Sequence, residues 1–123
     1  MTQQATRLLI IDDEPLFTQV LARALRRRGY EVLEAHDATQ ALALVEEFKP
    51  ERVTLDLKMT DCSGLQLIPQ LLQSLPALNI VVLTGYSSIA TAVQAMKLGA
   101  SNYLCKPANV DEILSPSPTK RQQ

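Results

Sequence analysis

The stretch "LLIIDDEP", Leu8 to Pro15, runs four apolar residues straight into three acids and a proline. An apolar run that short, bounded by a turn signal, suits a strand buried on both faces. Adjacent carboxylates repel one another unless a cation or solvent offsets the repulsion. Pro15 fits the first turn of a helix, where a missing N–H leaves no bond unmade. The stretch therefore predicts a buried strand that ends in acid and passes directly into a helix.

The same rhythm recurs along the chain. A helix is expected over 15–29, with Phe17, Val20, Leu21, Ala24 and Leu25 inward and Gly29 at its C-terminal cap. "YEVLEA" (30–35) alternates and reads as a strand at or near a sheet edge. A helix follows over 38–48, with Ala41, Leu44, Val45 and Phe48 inward. "RVTLD" (52–56) is a strand and "KMTDCSG" its loop. The next helix, 65–75, contains Pro69, which should kink it or sit in its first turn. Strand 79–84 precedes a helix over 88–100 with Ile89, Ala92, Val93 and Met96 on one face, then a strand over 101–105. "NVDEIL" (109–114) leaves under two turns for a fifth helix. Strands alternating with helices imply right-handed βαβ units and a parallel sheet. "SPSPTKRQQ" reads as a flexible linker or tail, so a domain is expected over 1–114 and a tail over 115–123.

Composition narrows the function. A length of 123 residues suits one domain, and 46% hydrophobic with 20% charged residues is globular. A net charge of -1 gives no reason to expect nucleic-acid binding by this segment itself. Cys62 and Cys105 make no disulfide framework, and no Cys/His spacing suits a metal. "MTQQATR" lacks a signal-peptide pattern, and no apolar run approaches the roughly 20 residues of a membrane span. A cytoplasmic location without membrane contact is the expectation.

In an open parallel sheet, ligands sit beyond the carboxyl ends of the strands. Those ends carry Asp12 and Asp13, Asp56, Thr84 and Gly85, and Lys106 and Pro107. Three carboxylates, a hydroxyl and an ammonium thus converge on one rim. Crowded carboxylates call for a divalent cation, and Mg²⁺ typically combines one or two of them with water and phosphate oxygens. Lys106 suits a phosphoryl group, Thr84 can donate to a phosphate oxygen, and Asp56 can attack phosphorus to give an aspartyl phosphate. Taken alone, Asp12 and Asp13 could simply favour the N-terminus of the next helix. The other rim residues in register weigh against that.

"IIDDEP", "VTLDLKM", "VVLTGYSS" and "GASNYLCKP" resemble, in order and spacing, the signature segments of the receiver domain of two-component response regulators. The likeness covers about residues 7–114. "VVLTGYSSIATAVQAMKLGASNYLCKP" resembles more narrowly the redox-responsive RegA/PrrA/ActR/RoxR group, in which a proline-containing linker leads to a Fis-like helix-turn-helix. The resemblance implies a flavodoxin-like doubly wound sheet of five parallel strands in the order 2-1-3-4-5. It implies Asp56 as phosphoacceptor, served by the phosphohistidine of a sensor histidine kinase. Asp13 and Asp56 would bind Mg²⁺ by side chain, Lys58 by its carbonyl, and Asp12 through metal-bound water. Lys106 would contact the phosphoryl group, and its bond to Pro107 would be cis. Thr84 and Tyr103 would form the switch pair. Such a protein turns over its own phosphoryl group rather than a separate substrate. Its output would be transcription control by a DNA-binding domain outside these residues.

Some positions depart from the commonest pattern. Thr60 stands where many receivers carry proline. The short fifth helix leaves the face of helix 4, strand 5 and helix 5 incomplete, which puts a homodimer through that face in question. Lys58 and Tyr86 flank the acceptor region and would tune phosphate lifetime. His36 and Cys105 read as ordinary strand-end residues, Cys62 as a loop residue with a minor claim to a redox role, and Arg26 to Arg28 as a solvated helix end. Two rivals stand beside the receiver: a phosphatase of the haloacid-dehalogenase type, which needs an acid where Lys58 stands, and an interaction module independent of phosphorylation.

Overall fold

A computed structural model describes residues 5–59, 63–85 and 88–115. Thr60, Cys62, Tyr86 and residues 116–123, singled out above, lie outside the described residues. Ten elements alternate: β1 (Arg7–Ile11), α1 (Pro15–Arg27), β2 (Glu31–Ala35), α2 (Ala38–Phe48), β3 (Arg52–Leu55), α3 (Gly64–Ser74), β4 (Asn79–Thr84), α4 (Ile89–Leu98), β5 (Asn102–Cys105) and α5 (Val110–Leu114). The five strands form one sheet, ordered β2-β1-β3-β4-β5. Every pairing is parallel, as crossovers through helices require.

Side chains alternate across a strand, so each strand feeds two cores. Leu8 and Ile10 meet Leu21, Ala22 and Leu25 of α1 and Ile113 of α5. Leu9 and Ile11 meet the opposite layer, built from Ala41 and Val45 of α2, Leu67, Ile68 and Leu71 of α3, and Ala95 of α4. β1 is therefore buried on both faces, and β2, with exposed Glu31, is an edge strand.

Two inward faces differ from expectation. Val20 is 61% exposed. The buried stripe of α1 runs through Thr18, Leu21, Ala22 and Leu25. Two positions from both Thr18 and Ala22, Val20 lies about 200° round the helix from each. In α4, Ile89 and Val93 point outward, while Ala95 is buried and Ala92 and Met96 are half-buried. This helix rests on the sheet through small side chains, which its apolar spacing does not reveal.

The ends of the helices follow local chemistry. Gly29 adopts φ +92° just beyond the C-cap Arg28, a left-handed conformation that favours glycine. Pro69 lies in the interior of α3 rather than its first turn. α5 is short, yet Asn109 and Glu112 close a reciprocal capping box at its start.

Candidate functional site

Ile11 stands opposite Leu55, so β1 and β3 end level and the next residues emerge side by side. Backbone pairing runs one residue further, Asp56 N donating to Ile11 O and Asp12 N to Ala35 O, each at 3.0 Å. Asp12, Asp13 and Asp56 thereby bring carboxylate oxygens within 4.8 Å of one another. Asp12 and Asp56 are buried and Asp13 is half-buried. On the far side of β3, Thr84 ends β4 opposite Cys105, and Lys106 N donates to Thr84 O at 2.9 Å. The Lys106–Pro107 peptide is cis.

Lys106 then reaches back across the rim. Its ammonium donates to Asp12 Oδ2 at 2.7 Å and to Asp56 Oδ2 at 3.5 Å, and lies 4.0 Å from the centre of the Phe17 ring. The other oxygens are held by backbone: Glu14 N donates to Asp12 Oδ1 at 3.0 Å and Lys58 N to Asp56 Oδ1 at 3.2 Å. Above them opens a cleft of about 600 Å³, lined by Asp13, Asp56, Lys58, Thr84 and Lys106 among others.

Burial pushes the Asp12 carboxyl above its ordinary pKa, and the Asp56 charge adds to this. The Lys106 hydrogen bond and charge and the Glu14 amide pull the other way without offsetting it. Burial likewise works to lower the Lys106 ammonium, but Asp12 and Asp56 outweigh it and hold it above its ordinary value. An isolated ion pair would lower its acid while raising its base. Here both rise, because burial of the Asp12 carboxylate outweighs its bond to Lys106, while the neighbouring carboxylate charges outweigh the burial of the ammonium. The site is short of positive charge, and its all-oxygen donor set suits a hard divalent cation.

The cluster thus brings together Asp12, Asp13, Asp56 and Lys106, with the Lys58 backbone and Thr84 at its edge. Val82 stands opposite Tyr103 and Thr84 opposite Cys105, so Thr84 and Tyr103 share the sheet face toward α4. The Tyr103 ring is half-buried against that core. Other singled-out residues stand apart. His36 Nε2 lies 3.1 Å from Thr18 Oγ1, at the end of β2. Cys105 is an exposed free thiol. Arg26 donates to Val32 O at 2.8 Å, and Arg28 pairs with Asp111 at 2.7 Å.

Two contributors escaped the sequence reading. Helical spacing assigned Phe17 to the core, and nothing in it signals a ring facing an ammonium from the other end of the chain. The sequence pattern places Gly64 in the loop; a Cβ there would lie 2.6 Å from Asp56 O and Leu57 Cα. Only glycine lets α3 start this close under the acceptor loop, where Gly64 N donates to Leu57 O at 2.9 Å.

Residues 8–116 match the family model of the response regulator receiver domain. The chain belongs to that family. The receiver is 42% identical over 106 residues to the photosynthetic apparatus regulatory protein RegA of Rhodobacter capsulatus, covering 86% of this chain and 58% of the relative. It is 43% identical over 108 residues to the acid tolerance regulatory protein ActR of Rhizobium meliloti, covering 88% of this chain and 56% of the relative. The receiver therefore spans just over half the length of these curated relatives. A response regulator from Burkholderia pseudomallei, whose crystal structure holds a phosphorylated aspartic acid, a calcium ion and citrate, superposes with a TM-score of 0.88. Identity to it is 52%, over 93% of this chain and 67% of that one. Among the described residues, no helix of the receiver is long and apolar enough to cross a membrane.

Proposed function

We propose that Asp56 accepts a phosphoryl group from the phosphohistidine of a sensor kinase, with Mg²⁺ bound, and that the modified receiver switches an output. The observation that carries this is the setting of the Asp56 carboxylate. It lies on the rim of an open cleft, with one oxygen on the Lys58 amide and the other facing the Lys106 ammonium. A carboxylate so held presents an oxygen nucleophile to phosphorus. As that oxygen bonds to phosphorus, the P–N bond breaks, and the imidazole leaves with the electron pair. Hydrolysis later returns the free carboxylate, so the receiver acts on itself rather than on a separate substrate.

The residues fit the divalent ion that the Burkholderia relative holds as calcium. Asp13 and Asp56 would hold Mg²⁺ by side chain, Lys58 by its carbonyl and Asp12 through water. Once bound, the ion supplies positive charge where the transferring oxygens gather negative charge. Lys106 donates to a phosphoryl oxygen and Thr84 to another. Drawing the Thr84 hydroxyl inward opens space on the face it shares with Tyr103, and the ring moves in behind it.

Transcription control by a DNA-binding domain is the output that fits relatives named as regulatory proteins. In this reading residues 1–114 are the receiver, 115–123 lead toward that output, and the protein works in the cytoplasm. Exposed Ile89 and Val93 on α4 offer apolar surface for a homodimer through the α4-β5-α5 face, weakened by the five-residue α5. Incubation with acetyl phosphate and Mg²⁺ should add the mass of one phosphoryl group, and Asp56→Ala should add none. An unchanged wild-type mass would sink the mechanism. Steady turnover of a small phosphoester, abolished by Asp56→Asn, would point to the phosphatase instead.

A further inference from the structure

Lysine places its charge on four rotatable bonds, so a site that depends on its direction must hold the ammonium from several sides. The Lys106 ammonium has three N–H donors and, among the described residues, meets Asp12 at 2.7 Å, Asp56 at 3.5 Å and the Phe17 ring at 4.0 Å. The ring distance is well inside the roughly 6 Å reach of a cation–π contact, in which the negative face of the ring attracts the charge.

The three neighbours differ in one respect. Asp12 and Asp56 belong to the acid cluster, so their electrostatic pull on the ammonium changes when a cation binds or when Asp56 is modified. The ring's pull does not. Phe17 sits in the first turn of α1, three residues past the N-cap Glu14, and helical side chains lean back toward the N-terminus. Its ring therefore stands at the rim while its body packs against the α1-α5 core, which fixes it in place.

We propose that Phe17 is a positioning residue for phosphotransfer: its ring anchors the Lys106 ammonium beside Asp56 while the carboxylate partners change. This deepens the phosphoacceptor reading and rests on it. Phe17 touches no reacting atom; it acts through Lys106 alone. Because Lys106 must leave Asp56 Oδ2 free to bond phosphorus and then meet the phosphoryl oxygens, the constant contact keeps it within reach of both.

Two measurements test this. With acetyl phosphate and Mg²⁺, Phe17→Leu keeps apolar bulk and loses the ring, and phosphorylation should slow about threefold to tenfold. Phe17→Tyr keeps the ring and should stay within about twofold of wild type. Equal rates for Phe17→Leu and wild type would overturn the proposal. A urea-unfolding cycle in EDTA with Phe17→Leu, Lys106→Met and the double variant tests the contact without any phosphotransfer. Phe17→Leu should reduce the folding equilibrium constant about threefold more with lysine at position 106 than in the Lys106→Met background. An equal reduction in both would show that the ring serves packing alone and overturn the proposal. If the wild type takes up no phosphoryl group, the phosphoacceptor reading fails by itself, and the unfolding cycle still decides whether ring and ammonium are coupled.

Discussion

Lys106 donates to Asp12 at 2.7 Å, joining residues 94 positions apart at the ends of the last and first strands. This ammonium is the counter-charge of the acid cluster and would compete with any cation placed there. Lys106→Met should therefore strengthen Mg²⁺ binding about threefold to tenfold, measured by calorimetry. In EDTA the same variant should lose about 1–3 kcal/mol of stability, because buried acceptors are left without a donor. Weaker Mg²⁺ binding in the variant would show that Lys106 is not the counter-charge.

The raised pKa of Asp12 carries a sign. Its folded value exceeds its unfolded value, so the native state binds more protons across the interval between them. Stability contributed by this group is then lost as pH rises from about 4, the ordinary aspartate range, through the raised value. Lys106 behaves oppositely in range: its raised value gives stability below about pH 10.5 that is lost at higher pH. In EDTA, Asp12→Asn should be more stable than wild type at pH 7, and the gap should close toward pH 4. Mg²⁺ at pH 7 should narrow it as well, by stabilising the wild type more than the variant. A gap that widens on acidification would contradict the assignment.

Gly64 faces backbone rather than side chain. A Cβ at 2.6 Å from Asp56 O and Leu57 Cα has nothing soft to push aside. Gly64→Ala should cost about 1–3 kcal/mol, the range for overpacking, and should displace the acceptor loop enough to slow phosphorylation. Gly85→Ala is the control for stability, since a Cβ there meets nothing within 4 Å. It should fall within about 0.5 kcal/mol of wild type. Equal urea midpoints for Gly64→Ala and Gly85→Ala would remove the steric argument.

What the sequence disclosed follows from how local each signal is. The acids after "LLII" and Asp56 after "VTL" mark strand ends by chemistry confined to a few residues, and parallel pairing carries them to one rim. Element order is legible for the same reason, whereas the strand order follows only from the resemblance to the receiver family, since no local signal says which strands lie side by side. Val20 and Ile89 were misplaced because an apolar side chain shows that a helix has an inward face, whereas packing neighbours set which way that face turns. Phe17 and Gly64 act through close approaches to distant residues, and no spacing along the chain encodes a distance in space.

Val20 belongs to an exposed stripe of α1 that suits the kinase contact proposed above. Leu16 is 73% exposed and Val20 61%, one turn apart on α1. Arg23 and Arg27 continue the same stripe toward the C-terminal end of the helix. An exposed apolar pair on α1, followed by basic residues, suits a partner that buries its own apolar side chains and faces the arginines with acids. Under the phosphoacceptor reading proposed above, this stripe is the docking face expected for the sensor kinase that serves Asp56. Leu16→Ser with Val20→Ser should slow transfer from the phosphorylated kinase about tenfold, the scale of losing an interface anchor. The reaction with acetyl phosphate, which needs no docking, should keep its wild-type rate. If both donors slowed equally, the stripe would be acting on the fold of the cleft; if neither slowed, the kinase would dock elsewhere.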